Sequence, residues 1–158
     1  MRTGGYYDAS GARALPGATN SNSGFVLASD VACAAVSTTS IGNIGGLFKE
    51  DGNYLWQLDG ALYVIVGATA PATVNFTIGN LPVNTGSGLV NQPIPPPLLV
   101  ASAVIMFPLS LLLELRGMQN SQTLTQNATL QAILTGASGT ITVKANSSVN
   151  FYAVREQD

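Results

Sequence analysis

The chain is 158 residues long, with 9% charged residues against 46% hydrophobic ones, a net charge of −2 and no histidine. This composition is the reverse of a disordered chain's, and the length fits one domain able to bury roughly 68–70% of its unfolded surface. The six Lys and Arg, scattered from Arg2 to Arg155, form no phosphate-neutralising cluster, and the missing histidine removes Ser-His-Asp and Cys-His nucleophiles together with the commonest metal ligand.

Residues 1–24 are rich in Gly, Ala, Ser and Asn, carry the turn signal Pro16-Gly17 and have no periodicity. They read as an extended arm anchored on a neighbour through Tyr6 and Tyr7, or as a loose terminus. The segment lacks the apolar core of a secretory signal, and Cys33 is the sole cysteine. Folding in a cytosol is therefore expected, without a disulfide framework or a cysteine-based metal site. A β-sandwich domain is expected over residues 25–158.

Within it, GFVLASDVACAAV predicts a strand pair or one bent strand, and STTSIGNIGG a loop. Asp51-Gly52 and Asp59-Gly60 are dipeptides favoured in tight hairpin turns, because Gly accepts positive φ at no steric cost. They would bracket two strands, YLWQL and ALYVIV, rich in aromatic and β-branched residues. ATVNFTIG alternates Val74, Phe76 and Ile78 with polar residues, as a half-buried strand does. NLPVNTGSGLVNQPIPPP holds five of the eight prolines and predicts a long connection, either functional or covering another surface.

PLLVASAVIMFPLSLLLEL, residues 97–115, raises three possibilities. A membrane span needs about 20 apolar residues with suitable flanks. Here the run from Leu98 to Leu113 has sixteen, interrupted by Pro108 and capped by Glu114 and Arg116. A buried helix is opposed by the β-branched Val100, Val104 and Ile105 and by the absence of a polar face. Strands fit best. LSLLLELRG sets Leu109, Leu111, Leu113 and Leu115 on one face, whereas VASAVIMF is apolar on both. Pro108 marks a bend, a bulge or an edge.

ATLQAIL, TITVKA (Ile141 and Val143 on one face) and VNFYAV complete eight or nine short strands separated by Gly-rich turns. That pattern indicates an all-β antiparallel sandwich or barrel.

Chemistry has few carriers here. Glu50, Asp51 and Asp59 could hold a calcium ion or supply a carboxylate pair, but acidic residues beside Gly also simply make turns. Tyr54, Trp56 and Tyr63 could stack a sugar or fill a core. Gly45-Gly46 and Gly86–Gly88 open no helix and so cradle no phosphate. No catalytic residue, metal or cofactor is expected. What stands out is the absence of any Asp, Glu, Lys or Arg from Gly60 through Leu113, 54 residues that include several strands. Loss of charge marks the core of a protein–protein contact, and a strand apolar on both faces needs cover on both. The expected contact residues are Tyr6, Tyr7, Val100, Val104, Ile105, Phe107 and Leu112.

From Gly24 to Val154 the strand pattern, with its Asp51-Gly52 and Asp59-Gly60 hairpins and the terminal GTITVKANSSVNFYAV, resembles the small single-jelly-roll proteins of virus and bacteriophage particles, especially cement or decoration proteins. The resemblance implies a jelly-roll sandwich and a homo-oligomer, most simply a trimer. It also implies an arm reaching across a neighbour, and a non-enzymatic virion subunit made in the host cytoplasm that staples the major capsid protein. The scattered charge leaves no nucleic-acid partner expected, and the strand reading of residues 97–115 no membrane partner. A different class, a trimeric receptor- or glycan-binding head similar to tumour-necrosis-factor-like or fibre-tip domains, would place a ligand site in the connection from Leu81 to Pro97. An enzyme using Glu50 or Asp59 is a third reading.

Overall fold

The computed structural model describes residues 24–43, 52–79, 85–89, 91–118 and 129–155; side chains at 24, 52, 54–56, 85–89, 113, 115–118 and 151–155 are not part of that description. The proposed arm with Tyr6 and Tyr7, and the turn residues Glu50 and Asp51, lie outside the described residues.

Eleven strands are described: β1 (Gly24–Val26), β2 (Val31–Ala34), β3 (Thr38–Asn43), β4 (Gly52–Val66), β5 (Thr73–Gly79), β6 (Thr85–Leu89), β7 (Asn91–Pro93), β8 (Val104–Met118), β9 (Thr129–Thr135), β10 (Thr140–Val143) and β11 (Ser148–Arg155). A single 3₁₀ turn, Pro96–Leu98, precedes β8. Every pairing is antiparallel, and the strands form two sheets. The smaller sheet has the order β3-β9-β5-β7; the larger joins β2, β10, β4, β8 and β6, with β11 and β1 completing it alongside the first half of β4. The pairs β5:β7, β4:β8, β3:β9 and β2:β10 are nested, each enclosing the previous one in sequence.

The core lies between the sheets. From the larger sheet come Leu58, Leu62, Val64, Ile105, Phe107, Leu109, Leu111, Ile141 and Val143; from the smaller come Ile41, Val74, Phe76, Ile78, Leu130 and Leu134, all buried. Phe76 and Phe107 meet across the gap with ring centroids 5.2 Å apart and tilted by 35°, within the separation that aromatic pairs favour. In β5, β9 and β10 the buried apolar residues fall at every second position, as period-two alternation dictates.

The long strand β4 serves two partners. It pairs with β11 over Tyr54–Ala61 and with β10 over Val64–Val66. The turn between β10 and β11 fills the junction: the Lys144 N–H donates to the Tyr63 carbonyl (2.8 Å), and the Tyr63 N–H donates to Ser147 Oγ (2.9 Å). Ser147 is fully buried, so its hydroxyl stands in for a missing ladder partner.

Four expectations change. Asp59-Gly60 is not a hairpin; β4 runs straight through it, with Asp59 opposite Ser110 and Gly60 opposite Leu109. Gly60 is there for close approach, since a Cβ would sit 2.3 Å from the Ser148 carbonyl oxygen. The polar run predicted as a loop contains β3, whose Gly42 lies flat against the Phe25 ring. The Leu81–Pro97 connection carries β6 and β7. Residues 100–103 form a turn rather than strand, because Ser102 adopts φ 61° and the Ala103 N–H bonds back to the Val100 carbonyl.

Pro108 marks an edge. It sits inside β8 opposite Ala61, on a stretch of the strand that β6 does not reach. The side chain of Gln92 takes the place of a neighbouring strand: its Nε2 donates to the Pro108 carbonyl (2.9 Å), and its Oε1 accepts from the Ser110 N–H (2.7 Å). Pro108 has no N–H to leave unpaired on that side.

Candidate functional site

The outer face of the larger sheet is where the sequence left apolar residues with no core to enter. Beyond residue 103, β8 alternates strictly: Ile105, Phe107, Leu109 and Leu111 point inward, while Val104 (76% exposed), Met106 (66%), Pro108, Ser110 and Leu112 (38%) point outward. Register places Val104 beside Ile65, Met106 beside Tyr63 and Pro108 beside Ala61 on β4. Cross-strand neighbours on one face lie about 5 Å apart, so these rungs form one continuous apolar strip. Its polar border is Thr142 next to Ile65, Ser148 next to Ala61, and Asp59, which accepts from the Gln57 amide at 2.9 and 3.1 Å.

The expected contact residues divide on this geometry. Val104 lies on the outer strip, Leu112 on the same face beyond the Ser110–Asp59 rung, and Val100 is exposed in the turn before β8. Ile105 and Phe107 are core residues and present nothing to a partner; their place in the contact set is corrected. The reason is parity: both share the inward phase of Leu109 and Leu111, carried unbroken through Pro108. Met106 and Tyr63 were missed, although Met106 shares the phase of Val104 and Tyr63 follows from its register with Met106. Tyr63 is exposed on this face; Tyr54 and Trp56 lie on β4 but their side chains are outside the described set.

A second uncharged region lies at one end of the sandwich. The β2–β3, β4–β5, β7–β8 and β9–β10 connections meet there: the Ala35 N–H bonds the Gly139 carbonyl, Gly67 and Thr69 bracket Thr140, and the Ser102 N–H bonds the Gly67 carbonyl. A Cβ on Gly139 would come within 2.4 Å of Pro71 N, so two of these connections touch at backbone distance. None of the four contains a charged residue.

Charge is confined to the remainder. Asp30 pairs with Lys144, and its other oxygen accepts from the Ala145 N–H at 2.9 Å; the Lys144 hydrogen bond, then the Ala145 bond, holds this carboxyl below its ordinary value of 3.8. Cys33 is buried, which raises its thiol pKa despite a hydrogen bond from Thr39, so it stays in the unreactive thiol form. Among the described residues no three His, Cys, Asp or Glu side chains gather as a metal group, and no helix is long and apolar enough to cross a membrane. No protein-family model matches the chain, and no curated protein matches it in sequence.

Proposed function

We propose that this chain is a non-enzymatic virion structural protein of jelly-roll type, a cement or capsid-building subunit that assembles with itself, most simply as a trimer, and binds the major capsid protein. The observation that carries the reading is the apolar strip Val104, Met106 and Tyr63, with Leu112 further along, on a sheet face that a solitary domain would turn to water. The nested pairs, forming sheets in the orders β2-β10-β4-β8 and β3-β9-β5-β7, support the jelly roll, an architecture used by capsid and lectin domains alike. Production in a host cytoplasm accompanies this reading.

The glycan-binding alternative gains less support. Its ligand connection, Leu81 to Pro97, contains β6 and β7, which are engaged in pairing with β8 and β5. The test measures particle mass by light scattering, then co-sedimentation with capsid shells, for the native chain and for Val104→Asp. Assembly and shell binding by the native chain, both lost in the variant, are expected. A monomer that ignores shells but is retained on a glycan array would overturn the proposal.

A further inference from the structure

The uncharged end of the sandwich carries a feature that its own fold does not reward. Val36, at the tip of the β2–β3 turn, has φ 56°, a left-handed conformation that β-branched residues seldom adopt, and its side chain is 76% exposed. Ser102, in the β7–β8 turn of the same end, is likewise left-handed at φ 61°. In the same connection as Ser102, Leu98 and Val100 are exposed, as are all of Pro95, Pro96 and Pro97.

We infer that this end is an isologous contact, docking against the same end of a second copy of the chain, so that it joins the trimers of the proposed function in pairs while the outer strip builds each trimer. Charge decides the occupant. The described charged residues all lie further along the sheet: Asp30 and Lys144 flank the Val31–Val143–Val64 rung, Asp59 faces Asn150, Glu114 faces Leu55, Arg116 follows Leu115 near the end of β8 and Arg155 faces Tyr54. Two identical charge-free ends can meet without stranding a charge, while the charged ends point away into water. A lipid surface fits poorly, because the four connections offer no Lys or Arg for anionic headgroups and no Trp or Tyr for the interface. Thirteen residues of the four connections are exposed, about half of one side of a standard interface. The end is also continuous with the outer strip through Val104, the first residue of β8. The three consecutive prolines hold the β7–β8 connection in shape before contact, which lowers the entropy lost on docking.

The inference rests on the self-assembly part of the proposed function, and sedimentation velocity over a concentration series separates the two. Val36→Asn places a residue that tolerates the left-handed region and removes the exposed apolar group. The expected result is a melting temperature at or above that of the native chain, with self-association weakened at least about tenfold. Leu98→Ser with Val100→Ser should weaken it similarly, and Met106→Ser with Leu112→Ser serves as the comparison on the outer strip. If only the outer-strip variant loses association, the end-to-end contact is wrong and the proposed function stands. The contact is equally wrong if the native chain is monomeric yet binds shells through this end. A native chain that neither associates nor binds shells overturns both.

Discussion

Replacing Ser147 with Ala deletes one hydrogen bond at the junction where β4 changes partners. Ser147 is fully buried and its hydroxyl accepts from the Tyr63 N–H, while the backbone bonds from Leu27 N–H to the Ser147 carbonyl, from Ser147 N–H to the Lys144 carbonyl, from Lys144 N–H to Tyr63 and from Asn146 N–H to Leu27 survive the substitution. The vacated volume is one oxygen atom, too small to admit a water in its place. The Tyr63 N–H is then left without an acceptor, which costs about 1–3 kcal/mol; with water excluded, about 2 kcal/mol is expected. For a domain of this size that corresponds to a fall in Tm of about 4–8 °C. Urea unfolding should show the midpoint moving down at constant slope, since the surface exposed on unfolding does not change. Ser138→Ala, in the exposed β9–β10 turn, is the control and should stay within about 0.5 kcal/mol. A Ser147→Ala loss as small as the control's would refute the assignment of this hydroxyl as a ladder partner.

Gly60→Ala forces a Cβ against the Ser148 carbonyl and Val149 Cα, both backbone atoms fixed by the β4–β11 ladder, and should cost about 3 kcal/mol in the same assay. Ile105→Asp strands a charge in the core and should unfold the chain by circular dichroism, whereas Val104→Asp, one residue away but outward, should keep the native spectrum and lose association. Asp30 titrates lower folded than unfolded, so the stability it adds is complete above about pH 4 and disappears as pH falls through the folded value. The stability gap between the native chain and Asp30→Asn, measured by denaturant titration, should therefore remain constant from about pH 5 to 8 and narrow as pH falls below the ordinary carboxyl value of 3.8.

Where alternation was strict the strands were legible from residues alone: β5 through Val74, Phe76 and Ile78, β10 through Ile141 and Val143, the second half of β8 through Leu109 and Leu111. β3 was hidden because TTSIGN has a single apolar residue, Ile41, and its packing depends on Phe25 of a distant strand covering Gly42. Asp59-Gly60 has turn chemistry locally, yet the need to bring β11 close to β4 overrides it, which only register reveals. The outer strip was half legible. The loss of charge gave its existence, but runs that are apolar on both faces conceal which face is inward, and so Ile105 was grouped with Val104. Val36 could not be singled out at all, since its backbone angle is set by the β2–β3 turn and not by its side chain.

The nesting of β5:β7, β4:β8, β3:β9 and β2:β10 also constrains how the chain can find its fold. Only the innermost pair closes a short loop; each outer pair becomes cheap once the one inside it has formed, because closure then adds only the difference in loop length. Folding should thus proceed outward from the middle, on the slow millisecond-to-second scale of non-local sheets. Substitutions in β5 and β7 would retard folding, and those in β2 and β10 would mainly hasten unfolding. The segment that must pair first is the one without charges to keep it dispersed, so in a concentrated cell the nascent chain depends on rapid closure of its centre to avoid sticking to its neighbours.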